Sequence, residues 1–366
     1  MNCPSPPQPE HDTDEVMLVA RGIATAVAPE TGLTDVQADL LGAIAEALTG
    51  VSVDYRSLEP LGRDEFAAAL AGKSLDYRQR IVHHMVLGEL VLRPIPITVA
   101  HRVATYAEAL DIKDDFVRVA RRYAQGAYGL AWIDLQRNGF VDHVRETGEA
   151  TTKKALRGTQ LASFKPARVD RELASRWHAF EHLPEITLGH SVWQMYHGRG
   201  FELPGTIGGA PAYLAQHDFV HVLADYGTNL KGELEVFGFI GRADPDPKGF
   251  AWMATLIGLF ETGYIADTGF FSRDVRDRNI QAPGMHQRIA DAIHRGKVMA
   301  ETFGRDLFDV DYYAVADRPV DEVRAQFGIP AKSAAAIEGG SAGAFDLDGM
   351  SEIQRQRVME RQEGTQ

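Results

Sequence analysis

The strongest constraint on the fold is a four-residue recurrence of apolar side chains. In TDVQADLLGAIAEALTG the residues Val36, Leu40, Ile44 and Leu48 return at every fourth position. That spacing lines one face of an α-helix. Thr34 with Gln37 predicts a capping box at the start of this helix, and Gly50 predicts its stop. SLDYRQRIVHHMVLGELVL (74–92) and TVAHRVATYAEAL (98–110) read as two more helices, parted by Pro94 and Pro96. A further helical stretch runs from Asp114 to Asp134, and no convincing period-2 strand precedes residue 140. VDRELASRWHAFEHL resumes the helical pattern from Val169 up to Pro184. It returns after residue 211 and continues to PVDEVRAQFGIP, where Pro319 suits a first turn and Gly328 a C-terminal cap. The expected fold class is all-α.

A chain of 366 residues is long for one hydrophobic core, so two helical domains are expected. The reading places a disordered, acidic and proline-broken tail at 1–15 and an N-terminal helical domain of unknown role at 16–144. A polar linker follows at 145–168, then a second helical domain at 169–330. Beyond Pro330 the small residues of AKSAAAIEGGSAGAF read as a flexible tail, 331–366, leading to a short charged terminal helix.

Composition removes several function classes. With 45% hydrophobic and 24% charged residues the chain is an ordinary globular protein. A formal net charge of −13 and the lack of any dense Lys/Arg stripe argue against a nucleic-acid partner. Cys3 is the sole cysteine, so no disulfide framework or thiolate metal site is available, and a cytoplasmic location is expected. MNCPSPPQPEHDTDE does not match a secretory or transit signal. The longest apolar run, FAWMATLIGLF (250–260), has eleven residues, against the roughly 20 that span a bilayer. The wider apolar region 250–271 reads as a buried core helix. A sharper reading makes it a wall for an isoprenoid tail, or a face dipping into a membrane interface.

Chemistry concentrates in HDFVHVLADYGTNLKGE, His217 to Glu233. At about 100° per residue, His221 falls about 40° and Asp218 about 100° from His217 on a helical wheel. All three then fit one arc, and His at i and i+4 is the spacing by which one helix grips a metal. Tyr226-Gly227-Thr228-Asn229 reads as a turn, with a second helix starting near Gly232. A short connection favours an antiparallel neighbour, which returns Glu233 towards His221. Two imidazoles and two carboxylates suit zinc, iron or manganese. HDxxH alone is more often a solvated or capping cluster than a ligand set; Glu233 shifts the balance towards a metal site.

HDxxH-x(11)-E resembles the metal-site signature of the COQ-four family of coenzyme Q biosynthesis proteins. LPEITLGHSVWQMYHGRGFEL (183–203), GELEVFGF (232–239) and LFDVDYYAVADRPVDEVRAQFGIP (307–330) resemble the family's segments around that motif. The resemblance covers roughly 180–330. It implies an all-helical fold in which His217, Asp218, His221 and Glu233 hold a divalent metal, usually zinc. It implies a role in quinone head-group assembly: removal of a ring carboxylate at C1 coupled to hydroxylation there. It also implies a hydrophobic, prenylated aromatic ligand, and scaffolding of other biosynthetic proteins at the membrane surface. A non-catalytic lipid-binding scaffold with a structural metal is the alternative within this picture. The chain departs from the family by Asp225, where a small residue, commonly Gly, is expected. At about 80° on the wheel, Asp225 is either a partner that orients His221 or a polar helix end. The added N-terminal domain is a second departure, and its helices weakly resemble TerB-like domains.

A rival reading is an HD-type metal-dependent phosphohydrolase, with His190 or His197 upstream and Asp267 downstream. A zincin is disfavoured, because Asp218 stands where HExxH needs Glu. His178, His182, His190 and His197 crowd the segment before the motif and are candidate pocket acids or bases. His83 and His84 are weaker candidates, since helix neighbours point about 100° apart. GTIGGAP (205–211) lacks the spacing of a phosphate loop. Its glycines suit either an ordinary turn or close backbone passage beside the metal helix or a ligand.

Overall fold

The computed structural model describes residues 12–126, 169–210, 212, 214–250, 253, 257 and 279–364. The chain divides into two compact units, Met1–Ala127 and Tyr128–Gln366. The expected linker, 145–168, and most of the apolar region 250–271 lie outside the described residues. Among the described residues the fold is all-α, with one isolated antiparallel bridge between Thr187 and Pro319 and no strand.

The first unit contains α1 (Thr13–Val27), α2 (Asp35–Thr49), α3 (Arg63–Leu70), α4 (Leu75–Leu90), α5 (Ile97–Ala109) and α6 (Asp115–Ala124). Helix α1 begins inside the expected tail, because the Asp12 side chain accepts from the Asp14 N–H and caps it. The Thr34–Gln37 capping box forms in both directions, and Gly50 ends α2 in the left-handed region at φ 72°. Gln37 is fully buried, and its amide also donates to the Val27 and Gly88 carbonyls at 2.9 Å each. One side chain thus starts α2 and ties it to α1 and α4. A Cβ at Gly22 would sit 2.2 Å from the Phe66 ring, so only glycine lets α3 seat that ring against α1.

His83 and His84 diverge as neighbours on a helix must. His84 Nδ1 donates to the Arg80 carbonyl, whereas His83 Nε2 lies 2.6 Å from Asp114 Oδ2 in a buried pair. Asp114 also caps α6 by accepting from the Phe116 N–H at 2.7 Å, and it accepts from the Gln79 amide at 2.9 Å.

The second unit contains α7 (Arg171–Ala179), α8 (Leu188–Arg199), α9 (Gln216–Ala224), α10 (Leu230–Ala243), α11 (Met285–Thr302), α12 (Val320–Phe327), α13 (Ala334–Glu338) and α14 (Glu352–Gly364). Helix α10 packs chiefly on α11. A Cβ at Gly296 would meet the Phe239 carbonyl oxygen at 2.3 Å, so the two backbones nearly touch there. Buried Glu235 and Arg288 bridge the same pair of helices at 2.5 Å. Beneath α9 lies an aromatic layer: Phe219 stacks on Tyr312 at 4.6 Å, and Trp177 packs on Tyr196 and Phe219. Arg324 from α12 donates to the Val222 and Leu223 carbonyls at 2.8 Å each, capping the end of α9.

Two expectations are corrected here. Residues 331–364 are not a flexible tail: Ala344 and Gln354 are buried, and the Arg199 guanidinium donates to the carbonyls of Ala344 at 2.5 Å and Asp346 at 2.9 Å. Their small residues allow close approach rather than motion. A Cβ at Gly349 would lie 2.9 Å from Gly227 Cα. Of the glycines in 205–211, Gly205 brings backbone close to α7 rather than to α9, and Gly209 closes on Leu203 as in an ordinary turn. Gly205 takes φ 86°, and a Cβ there would meet the Ala174 nitrogen at 2.5 Å.

Burial disfavours the charged form of Asp114, but the hydrogen bonds from His83, Gln79 and the Phe116 N–H hold its carboxyl below the usual range. A depressed carboxylate contributes stability that is fully present above its unfolded value, about 3.9. That stability is lost as pH falls through the lowered value. Melting curves should therefore show Asp114→Asn less stable than wild type at neutral pH, with the gap narrowing below about pH 4.

Candidate metal site

Asn229 caps α10 by accepting from the Gly232 N–H at 2.9 Å, which places Glu233 in the first turn of the helix. The preceding turn is very tight. A Cβ at Gly232 would lie 1.9 Å from the Gly227 carbonyl oxygen, so the backbone folds directly over itself. This return brings Glu233 back against α9. Its Oε2 lies 3.6 Å from His217 Nε2, and its Oε1 lies 3.4 Å from His221 Nε2. Asp218 Oδ1 is 3.5 Å from His217 Nε2. Candidate ligand atoms of His217, Asp218 and His221 all lie within 4.8 Å of one another. The four side chains singled out by spacing therefore converge.

Both rings are oriented from behind. His217 Nδ1–H donates to the Leu214 carbonyl, and His221 Nδ1–H donates to the Tyr226 carbonyl at 3.2 Å. Each Nδ1 is thus occupied by backbone, which leaves Nε2 as the nitrogen that each ring turns towards Glu233. Phe237 stacks on the His217 ring at 5.3 Å and fixes its plane. Asp218 is oriented likewise: its Oδ2 accepts from the Tyr196 hydroxyl at 2.5 Å, leaving Oδ1 for the centre.

The distances discriminate between hydrogen bonding and ligation. Separations of 3.4–3.6 Å exceed those of good N–H···O hydrogen bonds. Among the described residues, buried His221 Nε2 has no hydrogen-bond partner. Two donors bound at about 2.1 Å to one tetrahedral zinc would stand roughly 3.4 Å apart. The spacing, the orphaned nitrogen and the mixed N/O donor set fit a divalent cation. His221 is fully buried, whereas the His217 and Glu233 side chains retain 10% and 13% exposure, so the cluster is approached from their side.

The site as built is short of positive charge. Burial opposes protonation of His217, yet the Asp218 and Glu233 carboxylates outweigh it and hold the ring up to about 9. Burial also opposes ionisation of Glu233, but His221 and His217 pull it down to about 2. Asp218 moves the other way, because its burial exceeds the help from His217 and His221. Burial, with Asp218 beside it, pushes the Tyr196 hydroxyl well above its ordinary value, so it remains a donor.

Asp225 does not orient His221. Helix α9 ends at Ala224, and Asp225 adopts the left-handed conformation, φ 59° and ψ 52°, where a helical wheel no longer applies. Its carboxylate accepts from the Ala344 N–H at 3.2 Å and lies 3.7 Å from Lys332. The left-handed backbone also explains the departure from Gly, since Asp is among the few side chains that tolerate it. His178, His182 and His197 are exposed, and His190 and His197 both pack on Trp193. Neither His190 nor His197 joins the cluster, and Asp267 lies outside the described residues. Sequence reading missed Tyr196. It lies within the quoted upstream segment, but no spacing rule pairs it with a carboxylate 22 positions away.

No protein-family model matches the chain, and no curated protein matches it. A solved structure from Nostoc punctiforme PCC 73102, provisionally named a ubiquinone biosynthesis protein, matches 71% of this chain and 100% of its own, at 18% identity and a TM-score of 0.30. So loose a superposition carries no argument about this chain.

Removing the Tyr196 hydroxyl leaves a buried carboxylate oxygen without its donor. Tyr196→Phe should cost about 1.5–3 kcal/mol in chemical denaturation of the chelator-treated protein.

Proposed function

We propose that the second unit binds one divalent metal ion, zinc by its donor set, through His217, Asp218, His221 and Glu233, and acts on a prenylated aromatic quinone precursor. The observation that carries the metal is the inward pair of Nε2 atoms, each held by a backbone bond at Nδ1 and faced by Glu233. The quinone assignment is supported by the HDxxH-x(11)-E motif and its flanking segments. A bound cation would supply Lewis acidity, stabilising negative charge on a ring carboxylate or phenolate as CO2 leaves C1; the coupled hydroxylation would take its oxygen and its two oxidising equivalents from dioxygen. The protein's own part is orientation and partial exclusion of water. Tyr196 and the two carbonyls hold the donors, and the His217–Glu233 side admits the precursor. Docking to other biosynthetic proteins at a membrane surface belongs to the same reading. No helix among the described residues is long and apolar enough to cross a membrane.

A second reading rests on the count of donors. Four protein ligands saturate a tetrahedral ion, which suits a structural metal in a lipid-binding scaffold without catalysis. An HD-type phosphohydrolase finds less support, because Glu233 has no role in that scheme.

Chelated full-length protein titrated with zinc should take up one equivalent. His217→Ala, His221→Ala and Glu233→Ala should each weaken uptake by more than the roughly 10–100-fold typical of outer-shell changes. Exposed His182→Ala should leave it intact. Mass spectrometry of extracted wild-type protein should recover zinc and an isoprenoid. Recovery of neither removes the reading. Phosphomonoester turnover that needs His217 and Asp218 but not Glu233 would favour the phosphohydrolase instead.

A further inference from the structure

The turn joining α9 to α10 is held almost entirely by one distant segment. The Gly227 N–H donates to the Ala342 carbonyl at 3.0 Å, and the Thr228 and Asn229 N–H groups both donate to the Gly349 carbonyl at 2.8 Å. The Asn229 side-chain amide donates to the Asp348 carbonyl at 2.8 Å. Gln354, 1% exposed, completes the set. Its amide N–H donates to the Thr228 carbonyl at 2.8 Å, and its oxygen accepts from the Thr228 hydroxyl and the Ser351 N–H at 2.9 Å each. The fit leaves no slack, since a Cβ at Gly227 would lie 2.5 Å from Gly349 Cα.

Both ends of this turn are attached to the donor set. The Tyr226 carbonyl, at its start, orients His221 through Nδ1. Asn229, at its end, caps the helix whose first turn carries Glu233. A displacement of the turn therefore moves His221 and Glu233 relative to each other, while His217 and Asp218 stay fixed by Leu214 and Tyr196.

We propose that residues 342–354 form a strap that sets the metal affinity of the cluster, with Gln354 as a positioning residue acting through Thr228 on His221 and Glu233. The strap lies beyond the segment, roughly 180–330, in which the motif and its flanks occur. This inference rests on the metal reading above. The strap touches no metal donor directly; it fixes the one stretch of backbone that two of the donors share. Composition supports the role: Gly343, Ala344 and Gly349 are small where the strap meets Asp225 and Gly227, and larger residues would lift it away.

The test uses chelated full-length protein and cobalt(II) alone, reading both affinity and visible absorption. Wild type should bind one equivalent and show the spectrum of a mixed imidazole–carboxylate site. Gln354→Ala and Thr228→Val should each lower affinity about 10–100-fold and alter the spectrum, whereas Thr228→Ser, which keeps the hydroxyl, should match wild type. Met299→Ala makes a cavity in buried α11 that touches none of these hydrogen bonds. It should melt at lower temperature yet bind cobalt as wild type does. Unchanged affinity and spectrum in both Gln354→Ala and Thr228→Val, or equal losses in Met299→Ala, overturn the strap. Failure of wild type itself to bind cobalt overturns the metal reading, and the strap with it.

Discussion

Two carboxylates and two imidazoles withdrawn from water need a positive charge among them, and the second unit is arranged around meeting that need. Desolvating a carboxylate is costly unless a cation or several donors face it. Here one oxygen of Asp218 has the Tyr196 hydroxyl, and the remaining oxygens look towards the imidazole nitrogens. In the absence of a metal, the proton on His217 plays the cation's part, which is why that ring titrates so far above an ordinary histidine. A divalent ion meets the same need with more charge and without spending a ring nitrogen on a proton.

The surrounding fold is built to keep those four side chains from relaxing. Helix α9 is pressed from below by Trp177, Tyr196 and Tyr312, and its last carbonyls are taken by Arg324. Helix α10 is fixed against α11 by a near-contact of backbones at Gly296 and by the Glu235–Arg288 pair. These contacts fix the backbones of the two helices that carry the four side chains.

Local rules carried much of this into the sequence. The capping box at Thr34 and Gln37, the stop at Gly50 and the cap at Gly328 are short-range hydrogen-bond patterns, and they stand where residue type and spacing put them. The convergence of His217, Asp218, His221 and Glu233 was readable for the same reason, because three of them share one helix and the fourth follows a five-residue connection. What spacing did not carry depends on tertiary contact or on backbone leaving its regular path. Tyr196 meets Asp218 only through packing. The helical wheel failed at Asp225 because the helix had already ended. The small residues after Pro330 read as slack, although glycine that permits motion and glycine that permits contact have the same composition.

The interlock between Thr228 and Gln354 spans 126 positions, so the tightest part of the site is closed by one of the most distant pairings in the unit. Loops of that size close late in folding, after local helices have formed. During synthesis, α9 and α10 emerge long before the residues that will hold the joint between them. On the proposed reading, a nascent chain that already carries His217, Asp218, His221 and Glu233 would still lack the contacts that hold the turn between α9 and α10, which form only once the downstream segment has docked.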